Sequence, residues 1–492
     1  MTAAIERNFL NRVEVVPKLG LGLSVDVYDP DLRDLVGALR QRSLHIGYLE
    51  VFKATTRALE IVRRDCAGIP LAFHGEGLWV TQPDFSENPG SLSELEETAK
   101  QLSVIGSHWI NHECAAKQMG GYSFGTYLPP LYTPAGAAVV AANVALVQAR
   151  LDRIGPETGM ASPLFLLELP PLTYFSAGML PIPAFFREIT DRVPCGLVLD
   201  VGHMWTIYRY QAIYRDASLT RFLSRFLDEF PMERVVEIHV AGLARHEAVP
   251  ERGDDGRYPE WIDSHAAAIP QVLLAMLEQV LGHPRLTNLR GVALEVDTKP
   301  IAKTVEEFQA ASRRFSYTID RLLGVNAALS PAREALVTEE HGEPLLSSEA
   351  RDHLAQQYER YAKIVSGLVE PQGADWSDVL AHPAELARYT KHYLPHEILH
   401  WGGELTDMFP DSCLLLAQDG ISLDQFVEWW VRTSRPSTEP YDFFLIKVAR
   451  FLEYVAERAP AHQRIAEREA ELLRAGYAEA SLGETAVAEH SR

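Results

Sequence analysis

The chain is poor in cysteine: Cys66, Cys114, Cys195 and Cys413 are scattered through 492 residues and no two form a CxxC pair. That excludes a disulfide framework and a thiolate zinc cage, and predicts reduced thiols. Basic residues are also scarce, 46 Lys plus Arg against 67 Asp plus Glu, for a formal net charge of −21 with no block of one cationic type. Nucleic acid and anionic membranes are therefore excluded as partners. No run of about 18 apolar residues occurs, so no membrane span is expected. The start, MTAAIERNFLNRVEVV, has no cationic stretch followed by an apolar one, and a cytoplasmic location is expected. LGLGL, in the first apolar run, has only two of the glycines of a GxGxxG fingerprint, which argues against a dinucleotide fold.

What is present is strand alternating with helix. With 47% hydrophobic and 23% charged residues, the composition is that of a globular protein, and the length predicts one large unit plus a smaller one. Eight β-rich runs cover Leu19–Val25, His45–Phe52, Pro70–His74, Ser103–His108, Pro163–Leu169, Cys195–Asp200, Arg234–Val240 and Gly291–Val296. Segments of helical spacing separate them, several opened by a cap such as Asp29-Pro30, Ser91 or Thr133-Pro134. This pattern predicts a (β/α)8 TIM barrel over residues 1–326.

Chemistry in such a barrel sits at the C-terminal ends of the strands. Those ends, with the WIDSH connection after the seventh strand, supply His74, His108, Glu168, Asp200, His203, His239, Asp263, His265 and Glu295. Singly, each is most simply a structural residue, and Glu50 and His112 are read that way. Together, so many buried carboxylates and imidazoles need compensation, and cations are the usual form. Five imidazoles and four carboxylates without a thiolate suit iron, manganese or zinc. The set exceeds what one ion with an open position needs, so two or three metals with Glu168 as a bridge are expected. No catalytic residue beyond these ligands and no organic cofactor site is assigned.

The phrases LGLGLSV, FHGEGLWV, IGSHW, LLELPPLTYF, LVLDVGH, IHVAG, IDSHAAAIP and ALEVD follow one another in order. In this the chain resembles the multinuclear non-haem iron-dependent oxidative enzymes, the group that includes the methanobactin-biosynthesis oxidase. The resemblance implies a xylose-isomerase-like TIM barrel holding two or three irons in mixed valence, with dioxygen as co-substrate. It implies oxidation of a residue, often cysteine, in a ribosomally made precursor peptide during natural-product biosynthesis. It places the metal on the same nine residues. The family often has Asn where this chain has Leu169 and His203.

Beyond the barrel, residues 327–347 read as a polar linker and 348–492 as a mostly α-helical accessory domain. In the family, precursor recognition is often left to a separate protein, and the fused domain is a candidate for that role. Its PHEILH stretch, His396-Glu397 to His400, matches the HExxH metal pattern; a packed or capping helix face is the default reading. Two alternatives to the oxidase are a divalent-metal sugar isomerase or epimerase and a metal-loaded, non-catalytic binding scaffold.

Overall fold

The computed structural model describes residues 3–159, 161–171, 174–214, 216–245, 261–324, 347–369, 383–433 and 441–482. Eight parallel strands close into a barrel: β1 (Gly20–Val25), β2 (Leu49–Phe52), β3 (Leu71–His74), β4 (Trp109–Glu113), β5 (Leu164–Glu168), β6 (Gly196–Asp200), β7 (Val235–Val240) and β8 (Gly291–Glu295). Each strand pairs with its sequence neighbours and β8 returns to β1. The strands are buried almost throughout because helices cover their outer faces and side chains fill the interior, which is why they read as near-continuous apolar runs.

Below the rim the interior is a small core of its own. Tyr48, Trp109, Val198, Val236 and Ala293 pack there, and the N-terminal helix Ala3–Glu14 closes the bottom with Phe9 and Val13. Tyr48 needs its two glycine neighbours: a Cβ on Gly22 would stand 2.4 Å from its ring and one on Gly291 2.6 Å from its hydroxyl.

One predicted strand is displaced. Ser103–Ile105 complete the helix Pro89–Ile105, Gly106 ends it in the left-handed conformation (φ 71°), and β4 begins at Trp109. A left-handed C-terminal cap is the usual use of such a glycine. The shift carries the apolar run IGSH below the barrel and moves NHE to the rim.

Helix Pro134–Leu151 is the one described helix apolar and long enough to cross a membrane, and most of it is buried within the protein. Its hydrophobicity is that of a core element packed on both sides.

Residues 347–369, 383–433 and 441–482 are helical. Their hydrophobic core is shared with the rim of the barrel: Trp79, Phe124, Tyr127, Leu131, Tyr174 and Phe175 pack with Tyr358, Tyr389, Trp430 and Phe443. Polar bonds tie the same surfaces. Trp430 Nε1 donates to Ser123 O (2.5 Å), Leu131 N to the Tyr358 hydroxyl (3.1 Å), and Lys53 Nζ to Tyr441 O (3.0 Å). The rim side of this interface is the hairpin Ala116–Met119 and Tyr122–Leu128. The helical region is thus a layer over the barrel mouth. Most of the predicted linker falls outside the described residues; Ser347 caps the helix Ser348–Val365.

Candidate metal centre

Glu168, the last residue of β5, sits at the middle of the cluster. Its carboxylate is 3.5 Å from each of His74 Nε2, His203 Nδ1 and His239 Nδ1, and Asn111 Nδ2 donates to it at 2.5 Å. His239, at the penultimate position of β7, is fully buried and also lies 3.1 Å from Glu50 Oε1 and 3.2 Å from Glu295 Oε1. Asp200 ends β6 and caps the following helix by accepting from His203 N (2.5 Å), which fixes His203 one turn away on the same face. His203 Nε2 then faces Asp263 Oδ2 at 3.2 Å. Asp263 is delivered by the short strand Trp261–Asp263, antiparallel to Leu243–Arg245.

Ligand atoms of Glu50, His74 and His239 lie within 4.8 Å of one another, as do those of Glu168, Asp200 and His239. The imidazoles are oriented from behind. His74 Nδ1 donates to Gly75 O (3.2 Å), His203 Nδ1 to Leu169 O (2.7 Å) and His265 Nδ1 to Asp297 Oδ2 (2.7 Å). Each bond leaves Nε2 turned toward the carboxylates, as in metal sites where an outer acceptor fixes the tautomer.

The electrostatics show what the cluster lacks. Burial opposes charge on His74, yet Glu113, Glu168 and Glu50 outweigh it and lift the imidazole to about 10. Burial likewise opposes the Glu295 carboxylate, but His265 and His239 bring it down to about 2. For Asp200 burial wins and pushes the carboxyl well up. These groups stabilise one another only as ion pairs, a costly arrangement in a dry interior. Both ring nitrogens of His239, Oδ2 of Asp200, Oδ1 of Asp263, Oε2 of Glu50 and Oε2 of Glu295 are buried with no hydrogen-bond partner. Buried donors and acceptors are normally paired, so orphaned polar atoms converging from five residues fit metal ions. A bound cation would also neutralise the imidazoles, since a ligating imidazole must give up its proton.

Eight of the nine residues expected from the sequence meet here. His108 does not: it precedes β4, at the opposite end from the rim, half-buried, and its carbonyl accepts from Leu164 N (3.0 Å). The reason is the helix ending at Gly106, which shifts the strand frame. Asn111 and Glu113, with Glu113 Oε1 3.7 Å from His74 Nε2, occupy the place assigned to it. His112 is structural, as expected: Nε2 accepts from Leu78 N (2.9 Å), Nδ1 donates to Glu113 O (2.9 Å), and burial pushes the imidazole down to about 4. Glu50 and Asp297 join the set in three dimensions, Glu50 beside His239 (3.1 Å) and Asp297 as acceptor from His265 Nδ1 (2.7 Å). Trp109-Ile110, a β-forming pair three residues after Gly106, is the sequence signal for where the fourth strand begins.

The HExxH pattern dissolves in three dimensions. His396 and His400 lie with ring centres 4.1 Å apart and planes tilted by 41° on the helix Leu394–His400, and His400 pairs with Glu404 at the surface. Glu397 instead points into the shared core, where burial pushes its carboxyl well up and the Tyr389 hydroxyl donates to it (3.3 Å). The glutamate that would activate water is turned away from solvent.

Known proteins agree with the family suggested by the sequence. Residues 19–315 match the family described as RiPP precursor modification enzyme MbnB/TglH/ChrH. A UPF0276 protein of Anaeromyxobacter sp. (strain Fw109-5) is 26% identical over 256 residues, 52% of this chain and 77% of the relative. One of Caulobacter vibrioides (strain NA1000 / CB15N) is 26% identical over 227 residues, 46% and 69% of the two chains. Among solved structures, endonuclease IV of Thermus thermophilus aligns with 61% of this chain and 99% of its own (18% identity, TM-score 0.35). A xylose isomerase domain protein of Planctomyces limnophilus aligns with 63% and 100% (16% identity, TM-score 0.33). With the eight-stranded barrel and its rim of histidines and carboxylates in place, the match over 19–315 identifies the chain as a member of the MbnB/TglH/ChrH family of precursor-peptide modification enzymes.

Proposed function

We propose that this protein is a multinuclear non-haem iron enzyme that uses dioxygen to oxidise a residue, cysteine foremost, of a ribosomally made precursor peptide. The observation that carries the reading is the set of orphaned polar atoms around Glu168 and His239. Its mixed nitrogen and oxygen donors, without a thiolate, suit iron. His74, Glu168, Asp200, His203, His239, Asp263, His265 and Glu295 would hold the ions, with Glu50 added and His108 removed. Iron bound there would activate dioxygen, which is the oxidant.

The chain's own residues do the rest. Glu168, reached by three imidazoles, would be the shared ligand if two ions bind, and Asn111 fixes its orientation. Asp297 keeps the proton of His265 on Nδ1. The Phe52 ring, 4.4 Å from that of His74, shields that imidazole from water. Among the described residues of the cluster, His265 and Asp297 have side chains 25% and 19% exposed, against 5% or less for His74, His203 and His239. Substrate would enter beside His265 and Asp297. A cytoplasmic setting belongs to the same reading, since all four cysteines are buried and free. The helical layer over the mouth would take part in peptide recognition.

The test is metal content by mass spectrometry on protein purified without added metal, with Mössbauer spectra of iron-enriched protein. Two or three irons per chain in mixed valence is the expected result. Zinc or manganese without iron would overturn the oxidase.

A further inference from the structure

Lys117, in the hairpin over the rim, is buried. Its ammonium stands among four aromatic rings: Tyr127 at 4.1 Å, Trp401 at 5.1 Å, Tyr441 at 5.7 Å and Phe443 at 5.8 Å. The last three rings belong to the helical layer. The ammonium pairs with the carboxylate of Glu76, which also accepts from the Tyr127 hydroxyl (3.4 Å). Glu76 lies two residues past His74. We infer that Glu76 and Lys117 are positioning residues, through which the helical layer seats the turn Gly75–Gly77 and so sets the His74 imidazole for metal. The inference rests on the metal-centre reading and adds what the helical layer does for that centre.

His74 is tied to the turn directly. Its Nδ1 donates to Gly75 O (3.2 Å), and that bond leaves Nε2 facing Glu168 at 3.5 Å. A displaced turn would therefore carry the imidazole with it. The barrel fixes the start of the turn: Lys53 N donates to His74 O (2.8 Å) and Gly75 N to Asn111 O (2.8 Å). At Glu76 the hold passes to two lysines that also grip the layer. Lys53 Nζ donates to Glu76 O (3.2 Å) and to Tyr441 O (3.0 Å), and pairs with Glu94 Oε2 at 2.6 Å. Glu94 in turn accepts from Tyr441 N (3.0 Å). Lys117 holds the Glu76 side chain. At Gly77 the layer touches the turn itself: φ is +97°, and a Cβ there would lie 2.9 Å from Tyr441 Cβ.

Stability alone is a weak reason for this arrangement. Taking an ammonium and a carboxylate out of water costs about as much as their attraction gains, so apolar side chains of the same size would serve equally well. Holding one geometry among several is the other use of a buried pair. The aromatic box adds direction, because an ammonium is attracted over the faces of rings and not at their edges. The pair is complete and forms no site of its own. What it fixes is the backbone leading out of a metal ligand, and residues that orient a ligand from behind change metal affinity when they are removed.

The experiment uses full-length protein stripped of metal with a chelator and titrated with cobalt(II), whose visible absorption reports binding. Denaturant unfolding of the metal-free protein is measured beside it. Lys117→Met should weaken cobalt binding about tenfold and lower the unfolding midpoint, because Glu76 loses its cation. Adding Glu76→Gln removes that stranded charge, so the double variant should regain stability and keep the loss of affinity. Trp401→Leu, which alters only the layer, should weaken binding about threefold, the size of one cation–π contact. Unchanged affinity in Lys117→Met or Trp401→Leu would overturn the inference, as would affinity that returns with stability in the double variant. Should Lys117→Met fail to fold, the double variant carries the same comparison with the parent. A parent that binds no cobalt would remove the metal-centre reading itself, whereas a parent that binds no more tightly than its variants removes only the part given to Glu76 and Lys117.

Discussion

Two buried polar clusters in this chain differ in whether their polar atoms find hydrogen-bond partners. At the barrel rim, Glu168 and His239 sit among polar atoms that nothing receives. In the helical layer, Lys447 is buried too, but its ammonium donates to Leu399 O (2.7 Å), Trp401 O (3.0 Å) and Gly403 O (2.5 Å). Those are the carbonyls left open where the helix Leu394–His400 ends. One cluster is finished by the protein; the other needs something from outside. Buried charge marks a functional site only when its partners are missing.

The largest effect that would break this contrast is at the rim. Glu168→Ala and His239→Ala should lose bound metal and all measurable activity while keeping the circular dichroism of a folded barrel. Full metal content in both variants would sink the site assignment.

Lys447→Met should instead leave metal content unchanged and cost about 2–3 kcal/mol in denaturant unfolding, from three lost donors offset by relief of a buried charge. Burial brings the Lys447 ammonium down to about 7 from its ordinary 10.5. Between those values the unfolded chain binds more protons than the folded one, so stability should rise with pH across that window. The penalty is present in full below about pH 7. Unfolding curves at several pH values should show that rise in the parent and its absence in Lys447→Met.

The smallest effects sharpen the comparison. His400→Ala and His108→Ala should each change stability by no more than about 0.5 kcal/mol, as for ordinary surface or half-buried positions, and leave metal content intact. Loss of an ion in either would restore the reading that the structure removes from it.

The barrel was legible because its evidence is local and repeated: eight apolar runs, capped helices between them, and an acid or imidazole closing nearly every strand. A parallel strand covered on both faces leaves that trace whatever surrounds it. Where one local signal competes with another, the segment alone does not decide the outcome. Ser103–Ile105 are apolar enough for a strand, but the helix before them runs on until Gly106, and His108 fell to the wrong end. Glu50 was visible at its strand end, yet its value depends on His239 standing 3.1 Å away, which no spacing along the chain reports.

The helical region shows the same division. Its helices follow from apolar periodicity, whereas its place over the barrel mouth follows from Trp430, Tyr358 and Tyr389 packing into the hairpin after β4. Likewise, HExxH predicts a shared face for His396 and His400, and they share one. That Glu397 faces the core instead of water was decided by which side of a short helix the neighbouring layers bury.

By itself, the sequence determined most of the secondary structure, the order of the barrel and most of the chemical types at its rim, because propensity, periodicity and residue identity are properties of short segments. Only the tertiary structure decided which of those groups share a site, which are satisfied and which are left open. Those are distances between residues far apart in the chain, fixed by closure of the barrel and the packing of the helical layer above it.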